Sequence, residues 1–137
     1  MSLAADGGLR LSPRLETLWE TGQPYVWALA QDRKGNLYAA GGNDGVISRL
    51  AAGARGAMFA RVTEPEVHAL LVDAAGNVYA GTAPRAKVYK FGADGKQLWA
   101  YDTGEQYVWA LALDAHGTLF AATGVEGLTT IVPISAI

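Results

Sequence analysis

"GQPYVWALAQDRKGNLYAAGG" (Gly22–Gly42) returns as "GEQYVWALALDAHGTLFAATG" (Gly104–Gly124), with 13 of 21 positions identical. Between them, Glu66–Leu71 reads "EVHALL", a looser third copy in the same register. Val26, Val67 and Val108 stand 41 residues apart. So do Asp32, Asp73 and Asp114, then Gly35, Gly76 and Gly117, then Tyr38, Tyr79 and Phe120. Self-similarity at a period of about 40–50 residues marks either propeller blades or stacked helical repeats.

Composition chooses between the two. The 17 glycines in 137 residues suit strands and tight turns better than helices. Each copy holds an apolar stretch (Val26–Ala30, Val67–Val72, Val108–Leu113), then Asp-x-x-Gly, then a second stretch (Leu37–Ala40, Val78–Ala80, Leu119–Ala122). Stretches this short, bounded by Gly and Asn, predict strands joined by a hairpin. The Asp side chain is expected to cap the turn, and the Gly to supply the positive φ that ends it. A third strand is expected at "GVISRL", "KVYKF" and "GLTTIV", and a fourth at "GAMFARV" and "KQLWAYD". Four antiparallel strands per 41-residue unit make one propeller blade, so the expected fold is all-β. Pro24, Pro65, Pro84 and Pro133 are expected between strands, where a missing N–H costs no ladder bond.

The length is that of one domain, 1–137, with units at 15–50, 57–91 and 97–132 and a leader at 1–14. "RLETLWETG" (Arg14–Gly22) aligns with "KQLWAYDTG" (Lys96–Gly104), so the units run fourth, first, second, third strand. That offset allows one terminus to complete the blade of another. Propellers close with about four to eight blades. Three blades per chain therefore imply a homodimer that closes a six-bladed ring. A three-blade fragment of a longer propeller is the other reading of the same phase.

The bulk numbers exclude several functions. Half of the residues are hydrophobic and 18% are charged, which supports a packed core. A net charge of −2 without a basic run does not suit nucleic acid. No run reaches the roughly 18 apolar residues of a membrane helix, and Met1–Gly8 lacks a signal-peptide core. With no Cys, disulfides, thiolate catalysis and Cys-based zinc sites are absent, and the compartment is left open.

"DRKGNLYA" (Asp32–Ala39) resembles the repeats of NHL-type and two-component-sensor-type propellers. "VYKFGADGKQLWAYDTG" (Val88–Gly104) is similar to the repeat of pyrroloquinoline-quinone-type propellers. The resemblance covers nearly the whole chain and implies a propeller whose ligands are met at the channel mouth. The Gly-His and Trp-Asp pairs of WD repeats are missing from every blade, and so are the adjacent cysteines of some quinoprotein dehydrogenases.

On the face where the innermost strands begin, the register aligns Gln23, Glu64 and Glu105, then Tyr25, Glu66 and Tyr107, then Trp27, His68 and Trp109. Aromatic and acidic groups around a concave mouth suit a polar ligand with an apolar face, such as a sugar or a short peptide. Against that, Trp27 and Trp109 are large side chains on inner strands and are expected to pack between blades, with His68 beside them. Glu64, Glu66 and His68 all come from one blade and are interrupted by Pro65, a poor metal set. No Ser-His-Asp spacing or phosphate-binding loop is present, so no catalytic residue, metal or cofactor is assigned. The expected function is a non-catalytic module binding a protein, peptide or sugar. An alternative of another class is a gluconolactonase-like hydrolase with a metal held in the channel by several blades. The Tyr and Trp in two blades of three count against it.

Overall fold

Three short turns set the architecture. In the computed structural model, which describes residues 2–3, 9–10, 18–51, 55–125 and 127–134, the Asp73 carboxylate accepts from the backbone N–H of Ala75 (3.0 Å) and Asn77 (2.9 Å). Asp32 and Asp114 repeat the pattern. Gly35, Gly76 and Gly117 take φ of 88°, 91° and 83°, a region in which side chains are strained. A side-chain acceptor before a glycine therefore closes a hairpin three times over.

The strands follow in chain order. β1 (Ser2–Leu3) and β2 (Leu9–Arg10) pair with each other. The first sheet is β3 (Tyr25–Gln31), β4 (Leu37–Gly42), β5 (Val46–Leu50) and β6 (Gly56–Arg61). The middle sheet is β7 (Glu66–Val72), β8 (Val78–Ala83), β9 (Lys87–Phe91) and β10 (Gln97–Asp102). The last sheet is β11 (Tyr107–Leu113), β12 (Leu119–Val125) and β13 (Leu128–Ile134). Each is an antiparallel meander in sequence order, and no described residue is helical. β7 packs against β3 and β4, and β11 against β7 and β8, so the sheets fan out from their first strands.

Two expectations need adjusting. Pro133 lies inside β13, opposite Phe120, rather than between strands. Among the described residues, β13 has a neighbour on one side only, and such an edge has positions whose N–H points away from any partner. Of the expected lead-in strand, residues 14–17 lie outside the described residues, as do most of those at 1–14. Leu18–Gly22 form no ladder. They lie beside the first sheet instead, with the Trp19 indole over Gly56.

Two apolar layers hold the sheets together. Between first and middle, Tyr38, Ala40 and Ile47 meet Val67, Val78 and Phe91. Between middle and last, Tyr79 and Val88 meet Val108, Leu119, Ala121 and Ile134. Val108 presses directly on Gly81, where an added Cβ would lie 2.8 Å from the valine Cβ.

Equivalent positions differ at the two ends. Ala40 faces Ile47, Gly81 faces Val88 and Ala122 faces Ile131 across their ladders. Ile47 and Val88 are 0% exposed, whereas Ile131 is 72% exposed. On the opposite face, Val67 and Val108 are 0% exposed but Val26 is 41% exposed. A groove of 450 Å³ runs beside Val26, lined by Leu18, Trp19, Leu29, Leu37 and Leu50. The first and last sheets thus each present a bare apolar face.

Candidate functional site

The residues at Trp27, His68 and Trp109 owe their direction to a repeated irregularity. In each sheet the pairing slips once: Val26 and Ala28 face Gly41 and Ala40, Val67 and Ala69 face Thr82 and Gly81, and Val108 and Ala110 face Thr123 and Ala122. The residue between is a β-bulge, and a bulge re-aims its side chain. It also inverts the alternation that follows, so Val67, Leu70 and Val72 share the face toward the first sheet while Ala69 and Leu71 take the other. The valine before the bulge enters the layer between sheets. The bulge residue is freed from it.

Trp27 and Trp109 each meet His68 of the middle sheet, as packing between blades would have it, and both also remain 42% exposed. They belong to a continuous aromatic run along β3, β7 and β11. Tyr25 stacks on Trp27 (5.5 Å between ring centroids, 2° between planes), and Trp27 stacks on His68 (4.5 Å, 17°). Tyr107 stacks on Trp109 (4.5 Å, 11°). The second stack meets His68 edge-on, with Trp109 at 5.4 Å and 60° and Tyr107 at 6.2 Å and 70°. Five rings from three sheets form two stacks joined at a corner.

Glu66 sits at that corner. Its Oε1 lies 3.2 Å from Nε2 of His68, and the tautomer with hydrogen on Nε2 donates to it. The Glu66 side chain is 30% exposed and that of His68 14%. Tyr25, Trp27, Glu66, His68, Tyr107 and Trp109 are thus brought together as one surface.

The other three candidates lie apart from it. Glu64 is buried, accepting from the Tyr89 hydroxyl at 2.6 Å, with the Lys87 ammonium 3.4 Å away. Burial, then the hydrogen bond to Glu64, pushes the Tyr89 hydroxyl up to about 12. Glu64 therefore braces the junction between the first two sheets. Gln23 donates to the carbonyl of Val46 at 2.9 Å, and its Oε1 is buried without a partner among the described residues. Glu105 is exposed, and its backbone carbonyl accepts from Ala86. Tyr89 and Lys87 had not been singled out in the sequence. Their register beside Glu64 is a third-strand relation that the inner-strand pattern does not display. Among the described residues, no three His, Cys, Asp or Glu side chains gather as metal ligands.

A solved structure titled "Crystal structure of WD40 beta propeller domain of Doa1" is similar to this chain, with a TM-score of 0.60 and 10% sequence identity. The match covers 72% of this chain and 34% of that one, so this chain spans about a third of that structure's length. No protein-family model matches the chain, and no curated protein sequence does. The likeness, with three antiparallel sheets fanning from their first strands, defines the class: the chain has a β-propeller fold.

Proposed function

We propose that this chain is a non-catalytic binding module, half of a six-bladed propeller completed by a second copy of itself, with its ligand held at the aromatic inner edge. One observation carries the reading. Positions that are fully buried between sheets inside the chain, Ile47 and Val88 on one face and Val67 and Val108 on the other, are bare at the ends as Ile131 and Val26. The two bare faces correspond to the two sides of an internal junction. The last sheet of one copy can therefore receive the first sheet of another as the first sheet receives the middle one. Such head-to-tail contacts close into a ring when the rotation permits. Water contact with apolar faces of this kind drives association. Two junctions should together bury roughly 2,000 Å² or more, the range of obligate pairs.

The repeat type, of NHL or quinoprotein kind, is part of the same reading and rests on the Asp-x-x-Gly-Asn hairpins and the segment Val88–Gly104. The hydrolase alternative would require carboxylates from several blades to converge, and on the described inner strands Glu66 is the sole carboxylate. Light scattering on the purified chain and on Ile131→Asp tests the assembly. Two chains are expected for the parent and one for the variant, because an aspartate in a closed junction is buried without a partner. A folded parent of one chain overturns the ring, and three chains would mean nine blades.

A further inference from the structure

We propose that the aromatic corner of Trp27, His68, Trp109 and Glu66 binds an organic cation of the quaternary or methylated ammonium class. This names the ligand of the site proposed above, and so rests on the binding-module reading. Three observations select the class. First, β3, β7 and β11 carry no Lys or Arg, and their single carboxylate, Glu66, stands in the corner where the ring stacks meet at 60–70°. Second, although Trp27 is stacked against Tyr25 and His68, and Trp109 against Tyr107, Trp27 and Trp109 stay 42% exposed and Tyr25 56%, so part of the ring surface still meets water. Indole and phenol faces attract a cation through their quadrupole, most strongly for Trp.

Third, the same strands carry no Asn, Asp, Ser or Thr. A sugar lying on an indole would find only the Glu66 carboxylate, the His68 imidazole and the tyrosine hydroxyls to bond its own hydroxyls, with no side-chain amide nearby on β7 or β11. A primary ammonium brings three strongly hydrated N–H donors that rings cannot satisfy. A methylated ammonium brings positive charge with few or no donors, and its methyl groups lose little on leaving water. Negative charge, aromatic surface and the scarcity of donors for a carboxylate to share therefore agree on one chemistry.

The test is a titration of the full chain with choline, followed by indole fluorescence and by saturation-transfer NMR of the choline methyl protons. The neutral isostere 3,3-dimethyl-1-butanol and the disaccharide cellobiose are titrated alongside. Saturable binding of choline, about tenfold tighter than the isostere, is expected. Glu66→Gln should weaken it several-fold, and Trp109→Phe should weaken it less than Trp109→Ala. Equal binding of choline and the isostere, or no binding of choline, overturns the inference. Binding of cellobiose alone overturns the cation and leaves a binding module. Measuring mass on the same samples separates the two readings: a single chain that binds choline removes the ring but keeps the cation, and a two-chain particle that ignores choline does the reverse.

Discussion

Asp73 shows how much of this fold is decided by single side chains. Burial would raise its carboxyl, but hydrogen bonds from the Asn77 side chain and backbone, the Tyr79 hydroxyl and the Ala75 backbone outweigh burial and hold it below its ordinary 3.8. A group depressed in the folded state stabilises that state above its unfolded pKa, and the contribution fades as acid protonates it. Asp73→Asn should therefore cost about 1–2 kcal/mol at neutral pH. The difference from the parent should shrink as pH falls from about 5 to below 3.8, in urea melts across that range. Tyr79 and Tyr89 run the other way. Burial and their carboxylate acceptors push both hydroxyls up to about 12. Raised groups stabilise below the unfolded value and lose that contribution as pH climbs from about 10 toward 12. Ultraviolet absorbance should accordingly show two tyrosines ionising late, together with unfolding. At the same turns, Gly35→Ala meets no atom within 4 Å, so its cost of about 1 kcal/mol comes from the positive φ alone. A variant that melts like the parent would remove the turn argument. These turns were legible in the sequence because Asp, Gly and Asn act within five residues of one another. The directions of Trp27 and Trp109 were not, since a bulge is a relation between two strands and leaves no mark in one.

At the scale of strands and sheets, the 41-residue step describes the described first, second and third strands well until the last sheet. Ile131, not Thr129, takes the ladder position of Ile47 and Val88, because eight residues separate it from its partner Ala122, against six between Ala40 and Ile47 and between Gly81 and Val88. Alternation of apolar and polar residues could not reveal this, since "GLTTIV" is short and Pro133 argued for an earlier end. Sheet packing is likewise readable only from partners: Gly81 is small because Val108 presses on it, whereas Ala40 and Ala122 at the same step carry methyl groups. Gly81→Val should therefore loosen the junction of middle and last sheets, by about 1–3 kcal/mol as overpacking does. Thermal melts of Gly81→Val against Ala40→Val would show whether the penalty is specific to that contact. Far-ultraviolet circular dichroism should show strand without appreciable helix, and a substantial helical signal would count against three sheets accounting for the chain.

The whole molecule turns on whether its end faces behave as the faces between its sheets do. Inside the chain, Ile47 lies in a closed apolar layer and Ile131, its equivalent, does not. In a lone chain, Ile131→Ala would change stability by a few tenths of a kcal/mol, as surface substitutions do. In a closed ring the same change empties part of a junction and should cost about 2–4 kcal/mol, matching Ile47→Ala. The comparison needs no assumption about where either terminus leads, because it asks only what covers one side chain. Concentration supplies the second axis. If two copies fold as a unit, the melting temperature of the parent rises with protein concentration, and that of Ile131→Asp does not. Calorimetry across a hundredfold dilution should then show the parent's transition moving upward by several degrees with concentration and the Ile131→Ala transition starting lower on the same slope. A parent transition that stays in place, with Ile131→Ala indistinguishable from it, would mean that water is the native neighbour of that face.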